Sequence, residues 1–214
     1  MRVALGRPGT AARKGRAYPL AVAWASLLLL LPVVGRAGTI RGKVIARGAR
    51  DNGDAVIYIN YIAKIPNKTF PAPKEPVILD QINLTFTPHV LPVLVGTTVS
   101  FPNSDEVRHN VFSPSPPKRF NLGTYPRGVT RTVTFDKPGE VALLCNVHAE
   151  MSAYVIVVET PYFAVTAKDG SYTIKNVPLG KYVLKTWHER LKSQTKEIEV
   201  RGDAPVTVDF ELSR

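Results

Sequence analysis

The residues best equipped for chemistry fall in one short stretch, Cys145-Asn146-Val147-His148-Ala149-Glu150-Met151. Cys145 is the single cysteine of the chain, His148 is one of four histidines, and Met151 is the only methionine besides Met1. A thiolate, an imidazole and a thioether at this spacing mix soft and borderline donors, a set suited to a soft, redox-active ion. Zinc suits it less, because zinc sites use several thiolates or imidazoles and do not ordinarily recruit a thioether. A second imidazole is available from His109, in Phe101-Pro102-Asn103-Ser104-Asp105-Glu106-Val107-Arg108-His109-Asn110-Val111. His109, Cys145 and His148 with a weak axial Met151 would form the trigonal donor set of a blue-copper electron-transfer centre. Taken singly, Cys145 reads as an inert buried thiol and Met151 as a core gap-filler; their common register is what favours ligation. His89 reads as a surface or sheet-edge histidine, and His188 beside Trp187 as a structural one.

Such donors need a stiff support. In Glu140–Cys145 the alternation places Val141, Leu143 and Cys145 on one face, so a strand packed by that face aims the sulfur inward. The chain must then turn back to bring His148 and Met151 around. Short alternating patterns recur at Thr39–Ala46, Ala55–Ile62, Gln81–Phe86, Val90–Phe101, Thr130–Phe135 and Ala153–Glu159. They continue at Ser171–Lys175, Lys181–Thr186, Lys196–Val200 and Val206–Leu212. Asn52-Gly53, Pro138-Gly139, Asp169-Gly170 and Leu179-Gly180 punctuate them. Many short strands with turn signals between them predict an all-β chain built from sandwiches. A proline-rich connector at Pro66–Pro76 and the Thr160-Pro161 step mark boundaries. The segments are then 38–65, an N-terminal β segment; 76–159, a central domain holding every candidate ligand; and 160–214, a C-terminal β domain.

The central segment resembles the cupredoxins of the plastocyanin and amicyanin group. The resemblance rests on Val95-Gly96-Thr97-Thr98-Val99-Ser100-Phe101, the Asn103-Ser104-Asp105 turn, the His109-Asn110 pair and the Cys-x2-His-x2-Met loop, whose short spacing is of the amicyanin type. It is also similar to small periplasmic copper proteins described as methylamine-utilisation-like. That resemblance implies a Greek-key sandwich holding one type 1 copper ion on His109, Cys145, His148 and Met151. Asn110 is expected to bond across to the cysteine loop, with Val111, Phe112, Pro114 and Val147 forming part of a dry shell. The flanks resemble a different family. Gly38-Thr39-Ile40-Arg41-Gly42-Lys43-Val44 with Asp54-Ala55-Val56-Ile57-Tyr58, and Asp169-Gly170-Ser171-Tyr172-Thr173-Ile174 with Val177-Pro178-Leu179-Gly180-Lys181-Tyr182, are similar to the carboxypeptidase regulatory-like (transthyretin-like) β-sandwich. In that family the two pieces share one domain, so the copper domain here would be inserted between them. No catalysis is implied by that name.

Charge and composition narrow the function. The 214 residues are 44% hydrophobic and 21% charged, which excludes a disordered or coiled-coil chain. The net charge of +11 is concentrated at the start: six basic and no acidic residues precede position 38. That stretch has a basic region, an apolar run from Leu20 to Val34, and small residues at Gly35 and Ala37, the parts of a secretory signal over 1–37, with an uncleaved N-terminal anchor as the alternative. Its removal leaves a net +5 with no basic block, which argues against nucleic-acid binding and leaves no membrane span. No phosphate loop or nucleophile elbow is present, and four donors leave no open metal position for a substrate. The expectation is a periplasmic or otherwise exported electron carrier, not an enzyme. Its partners would be redox proteins such as a c-type cytochrome or a periplasmic dehydrogenase. The alternatives are a copper storage or delivery protein, and a carbohydrate- or protein-binding β-sandwich with a structural metal.

Overall fold

The computed structural model describes residues 37–62 and 69–214. The signal-like stretch before residue 37 and the start of the proline-rich connector lie outside the described residues. In chain order the strands begin with β1 (Ala37–Ala46), β2 (Val56–Ile62), β3 (Val77–Ile78), β4 (Asp80–Ile82) and β5 (Thr85–Thr87). Next are β6 (Val90–Leu94), β7 (Thr97–Pro102), β8 (His109–Ser113), β9 (Phe120–Tyr125), β10 (Thr130–Phe135), β11 (Gly139–Leu144) and β12 (Ser152–Val158). The last are β13 (Phe163–Val165), β14 (Ser171–Pro178), β15 (Gly180–Trp187), β16 (Thr195–Val200), β17 (Val206–Thr207) and β18 (Phe210–Leu212). The described residues are all-β, as their short alternating patterns predict.

The central strands form two facing sheets, β10-β7-β3 and β6-β12-β11-β8-β9, with the β4–β5 hairpin beside them. Their inner faces share one apolar cluster, including Val99, Phe101, Phe135, Val141, Leu143 and Val155. The alternation of β11 works as its sequence requires: Val141, Leu143 and Cys145 are all buried in this cluster. Burying a strand face of this kind contributes about 25 cal/mol per Å² of apolar surface, so each large side chain stabilises by roughly 2 kcal/mol.

The flanking strands form a second sandwich, of sheets β14-β1-β17, with β18 also on β1, and β13-β2-β15-β16. Its core gathers Ile40, Ile57, Ile59, Ile174, Leu184 and Leu212. β1 and β2 therefore lie in the same two sheets as strands from beyond residue 160, although the central strands separate them in sequence. Gly170 shows how tight these turns are. It sits at φ +84°, and a Cβ there would lie 2.2 Å from the Val44 carbonyl oxygen, so the Asp169-Gly170 hairpin admits no other residue without displacement.

Three details differ from the pattern in the sequence. Val90–Phe101 is two strands, β6 and β7, in opposite sheets, because Gly96 turns the chain at φ +87°. Gln81–Phe86 is a hairpin, turned by Asn83 and Leu84 at φ 54° and 57°. β9 carries no clean alternation, since Asn121, Gly123 and Thr124 face solvent, and only its pairing with β8 identifies it as a strand.

Candidate metal centre

Three elements deliver the donors to one end of the central sandwich. Cys145 follows β11 directly, so its position is set by the β8–β11–β12 pairing. The loop after it closes on itself: the Cys145 N–H donates to the Met151 carbonyl at 3.3 Å and the Met151 N–H to the His148 carbonyl at 3.1 Å. Leu144 and Ser152 pair immediately behind, which makes the excursion from Cys145 to Met151 a tight hairpin loop. His109 opens β8 and is fully buried.

The side chains converge. His109 and His148 face each other through their Nδ1 atoms at 3.1 Å, with ring centroids 4.8 Å apart. One donor atom from each of His109, Cys145 and His148 lies within 4.8 Å of the other two. Cys145 and His109 are buried, whereas His148 is only half-buried, so one imidazole edge reaches toward solvent. Met151 is buried with Cys145 in the same apolar cluster. Two ring nitrogens and a sulfur at this separation fit a single ion, and thiolate with imidazole selects copper or zinc over hard cations. A thioether in the same buried cluster as the thiol favours copper.

The loop that carries His109 is held by buried amides. Asn103 is buried and donates through Nδ2 to the Val107 and Tyr125 carbonyls, while its Oδ1 accepts the Asp105 N–H. Gln81 is fully buried and donates to the Pro102 carbonyl and to the Tyr125 hydroxyl, which itself donates to the Phe101 carbonyl. Burial pushes Tyr125 up to about 12, since its phenolate would lose water.

Asp105 is the residue of this site that the sequence reading passes over. Its Oδ2 accepts the His109 Nε2–H at 2.7 Å and the Leu84 N–H at 2.9 Å, and its Oδ1 accepts the Asn83 N–H at 2.6 Å. Burial pushes the Asp105 carboxyl up, but the bonds from Leu84, His109 and Asn83 together outweigh it and hold the group below the usual aspartate value. An acid four residues before His109 is the one hint in the sequence, and only the folded hairpin gives it meaning.

Other expectations need correction. Asn110 does not bond to the cysteine loop: its Nδ2 donates to Asn121 Oδ1 on β9 at 2.8 Å, and its buried Oδ1 has no partner. Asn121 Oδ1 also accepts the Gly123 N–H, so β9 supplies an acceptor at that position. Val111 is buried against the site cluster, but Pro114 and Val147 are exposed and seal nothing. His89 does lie at a sheet edge, just before the edge strand β6, and it is bonded there. Its Nδ1 meets the Ser152 carbonyl at 3.1 Å and its Nε2 donates to Glu189 Oε2 at 3.0 Å, so it spans the two sandwiches. His188 does play a structural part, accepting the Arg190 N–H, and its burial lowers its affinity for a proton.

An all-β protein with a buried thiol and two facing imidazoles at one end of a sandwich has the donor set of a mononuclear copper centre. Residues 149–213 match the family model described as carboxypeptidase regulatory-like domain. No curated protein sequence matches the chain. Among solved structures it is similar to a copper-containing nitrite reductase from Thermus scotoductus SA-01, at 28% identity and a TM-score of 0.39, covering 47% of this chain and 26% of that one. It thus spans about a quarter of that reductase chain. It is also similar to a reduced variant of amicyanin, at 22% identity and a TM-score of 0.37, over 44% of this chain and 95% of that one. A purple cupredoxin from Nitrosopumilus maritimus is similar at 25% identity and a TM-score of 0.35, over 38% and 98% of the two chains.

Proposed function

We propose that the protein is an exported one-electron carrier with a single copper ion held by His109, Cys145 and His148 and a weak axial Met151. The observation that carries this reading is the convergence of two imidazole nitrogens and one thiol within 4.8 Å. Bound there, copper would supply one-electron exchange between Cu(I) and Cu(II).

The residues of the chain do the rest. His109 and Cys145 are set by paired strands and have little freedom to follow a change in preferred geometry, which keeps reorganisation small. Cys145 is buried in the same apolar cluster as Leu143, Val111 and Met151, which keeps water from the thiol. His148 is the half-exposed donor and offers the short route outward. Val107 and Val147, on the two loops that carry the ligand histidines, are 43% and 47% exposed, and Leu84 on the neighbouring hairpin is 50% exposed. A small apolar rim of this kind suits brief docking of a redox protein, such as a c-type cytochrome or a periplasmic dehydrogenase, rather than a permanent complex. The basic, apolar start of the chain is consistent with export.

The test is electron exchange against metal transfer. The copper-loaded protein is expected to be reduced and reoxidised reversibly by one electron per chain and to pass electrons to a c-type cytochrome while keeping its metal. Loss of copper to a thiol-rich acceptor upon reduction, without electron transfer, would instead identify a delivery protein.

A further inference from the structure

We propose that Asp105 is a positioning residue for the copper centre: its carboxylate fixes the His109 ring and its tautomer, leaving Nδ1 as the free donor, and so biases the site toward Cu(II). The proposal deepens the electron-carrier reading and rests on it only for the part that concerns copper.

The geometry is a three-way clamp. One carboxylate accepts the His109 Nε2–H and the backbone N–H groups of Asn83 and Leu84. It is not one of the clustered donors, because it bonds the far nitrogen of the ring. A carboxylate accepts and cannot donate, so the proton of a neutral His109 must sit on Nε2. With His109 neutral, the 3.1 Å contact between the two Nδ1 atoms has His148 Nδ1–H donating to the bare His109 Nδ1.

The far side of the clamp is unusual backbone. Asn83 and Leu84 are both left-handed, at φ 54° and 57°, and a leucine meets a steric penalty there. Asp105 satisfies both turn amides, so the carboxylate that aims the ligand also holds a strained turn against the site. Asp105 is itself fixed, since its own N–H is bound by Asn103 and the neighbouring Ser104 hydroxyl donates to Asp80. A negative charge on the back of a ligand imidazole makes the ring a stronger donor, which stabilises the more highly charged metal state.

Two measurements test this. In the metal-free wild-type protein, nitrogen-15 shifts of the histidine rings are expected to show His109 protonated on Nε2 and bare at Nδ1. A proton on His109 Nδ1 overturns the proposal, and this readout needs neither copper nor a variant. Asp105→Asn keeps one oxygen for the turn but turns a donor toward Nε2, so His109 is expected to change tautomer. In the copper-loaded variant the ratio of Cu(I) to Cu(II) at a fixed solution potential is expected to rise about tenfold, the lower end of the effect such partners have on metal affinity. For one electron that is a shift of about 59 mV upward. An unchanged tautomer with an unchanged potential overturns the role of Asp105. Failure of the wild-type protein to take up copper with its colour would instead sink the carrier reading, and the tautomer would still decide on Asp105.

Discussion

Cys145, His148 and Met151 are legible because they are scarce: a lone thiol and a lone internal thioether rarely fall six residues apart by chance. His109 is legible as the second imidazole near a strand boundary, and it does open β8 with its Nδ1 against that of His148. Asp105 is not, because aspartate is common and its carboxylate matters only once the Asn83–Leu84 turn folds against it. Asn110 misleads for the same reason, since its partner Asn121 lies on a strand with no hydrophobic signature. At this scale Met151→Gln is expected to retain copper, because the two imidazoles and the thiolate remain. The stronger amide oxygen replaces a weak thioether and favours Cu(II), so voltammetry should show a lower reduction potential; a raised or unchanged potential would argue that Met151 does not face the ion.

At the level of elements, the site depends on how strands end. Alternation reveals β11 and β10 nearly to the residue, because one face of each is buried and the other is not. It fails at the β4–β5 hairpin, where two left-handed residues turn a run that reads as one strand. The loop entering β8 is braced by the buried Gln81 and Asn103, which donate to the Tyr125 hydroxyl and carbonyl, and by the Tyr125 hydroxyl bonded to Phe101. Tyr125 ties this brace to alkaline pH. Its ionisation lies near 10.0 in an unfolded chain and at about 12 in the folded one. The stabilisation is therefore full below pH 10 and is lost as pH climbs from about 10 to about 12, where the unfolded chain gives up its proton first. Tyr125→Phe is expected to cost about 1 kcal/mol at neutral pH through the lost hydrogen bond. It should also flatten the fall in stability between pH 10 and 12, as measured by denaturant titration. An equally steep fall in the variant would assign the alkaline limb to other groups, of which buried Tyr172, also pushed up by desolvation, is the first candidate.

Across the whole molecule, the two sandwiches are joined by more than the chain. Val90, Ile156 and Val158 of the central part are buried with Val56 of the flanking part, and Tyr58, Tyr154 and Trp187 pack around them. Trp187 lies 5.1 Å from the Tyr154 ring, centroid to centroid, and donates from Nε1 to Glu140 Oε2 at 2.8 Å. His89 adds the bond to Glu189. This joint is not readable from sequence, since Trp187 looks like core of its own sandwich and only the pairing of β2 with β15 presents it to β12. Trp187→Ala is expected to lower stability by about 2 kcal/mol, combining a lost aromatic pair and a lost hydrogen bond. Thermal unfolding should detect this while the copper spectrum stays unchanged; a changed spectrum would mean the joint reaches the metal end. Removing residues from Thr160 onward would also strip β1 and β2 of their partners, so the halves cannot be separated by one cut. Copper binding by Cys145 is nonetheless a local property, open to a single optical experiment: a Cu(II) titration of the metal-free wild-type protein beside Cys145→Ser. The wild-type protein is expected to develop an intense visible copper–thiolate band that saturates at one equivalent, bleaches reversibly with a reductant, and is missing from the serine variant. A wild-type protein that stays colourless with bound Cu(II), or a serine variant with the same band, would contradict copper binding by Cys145.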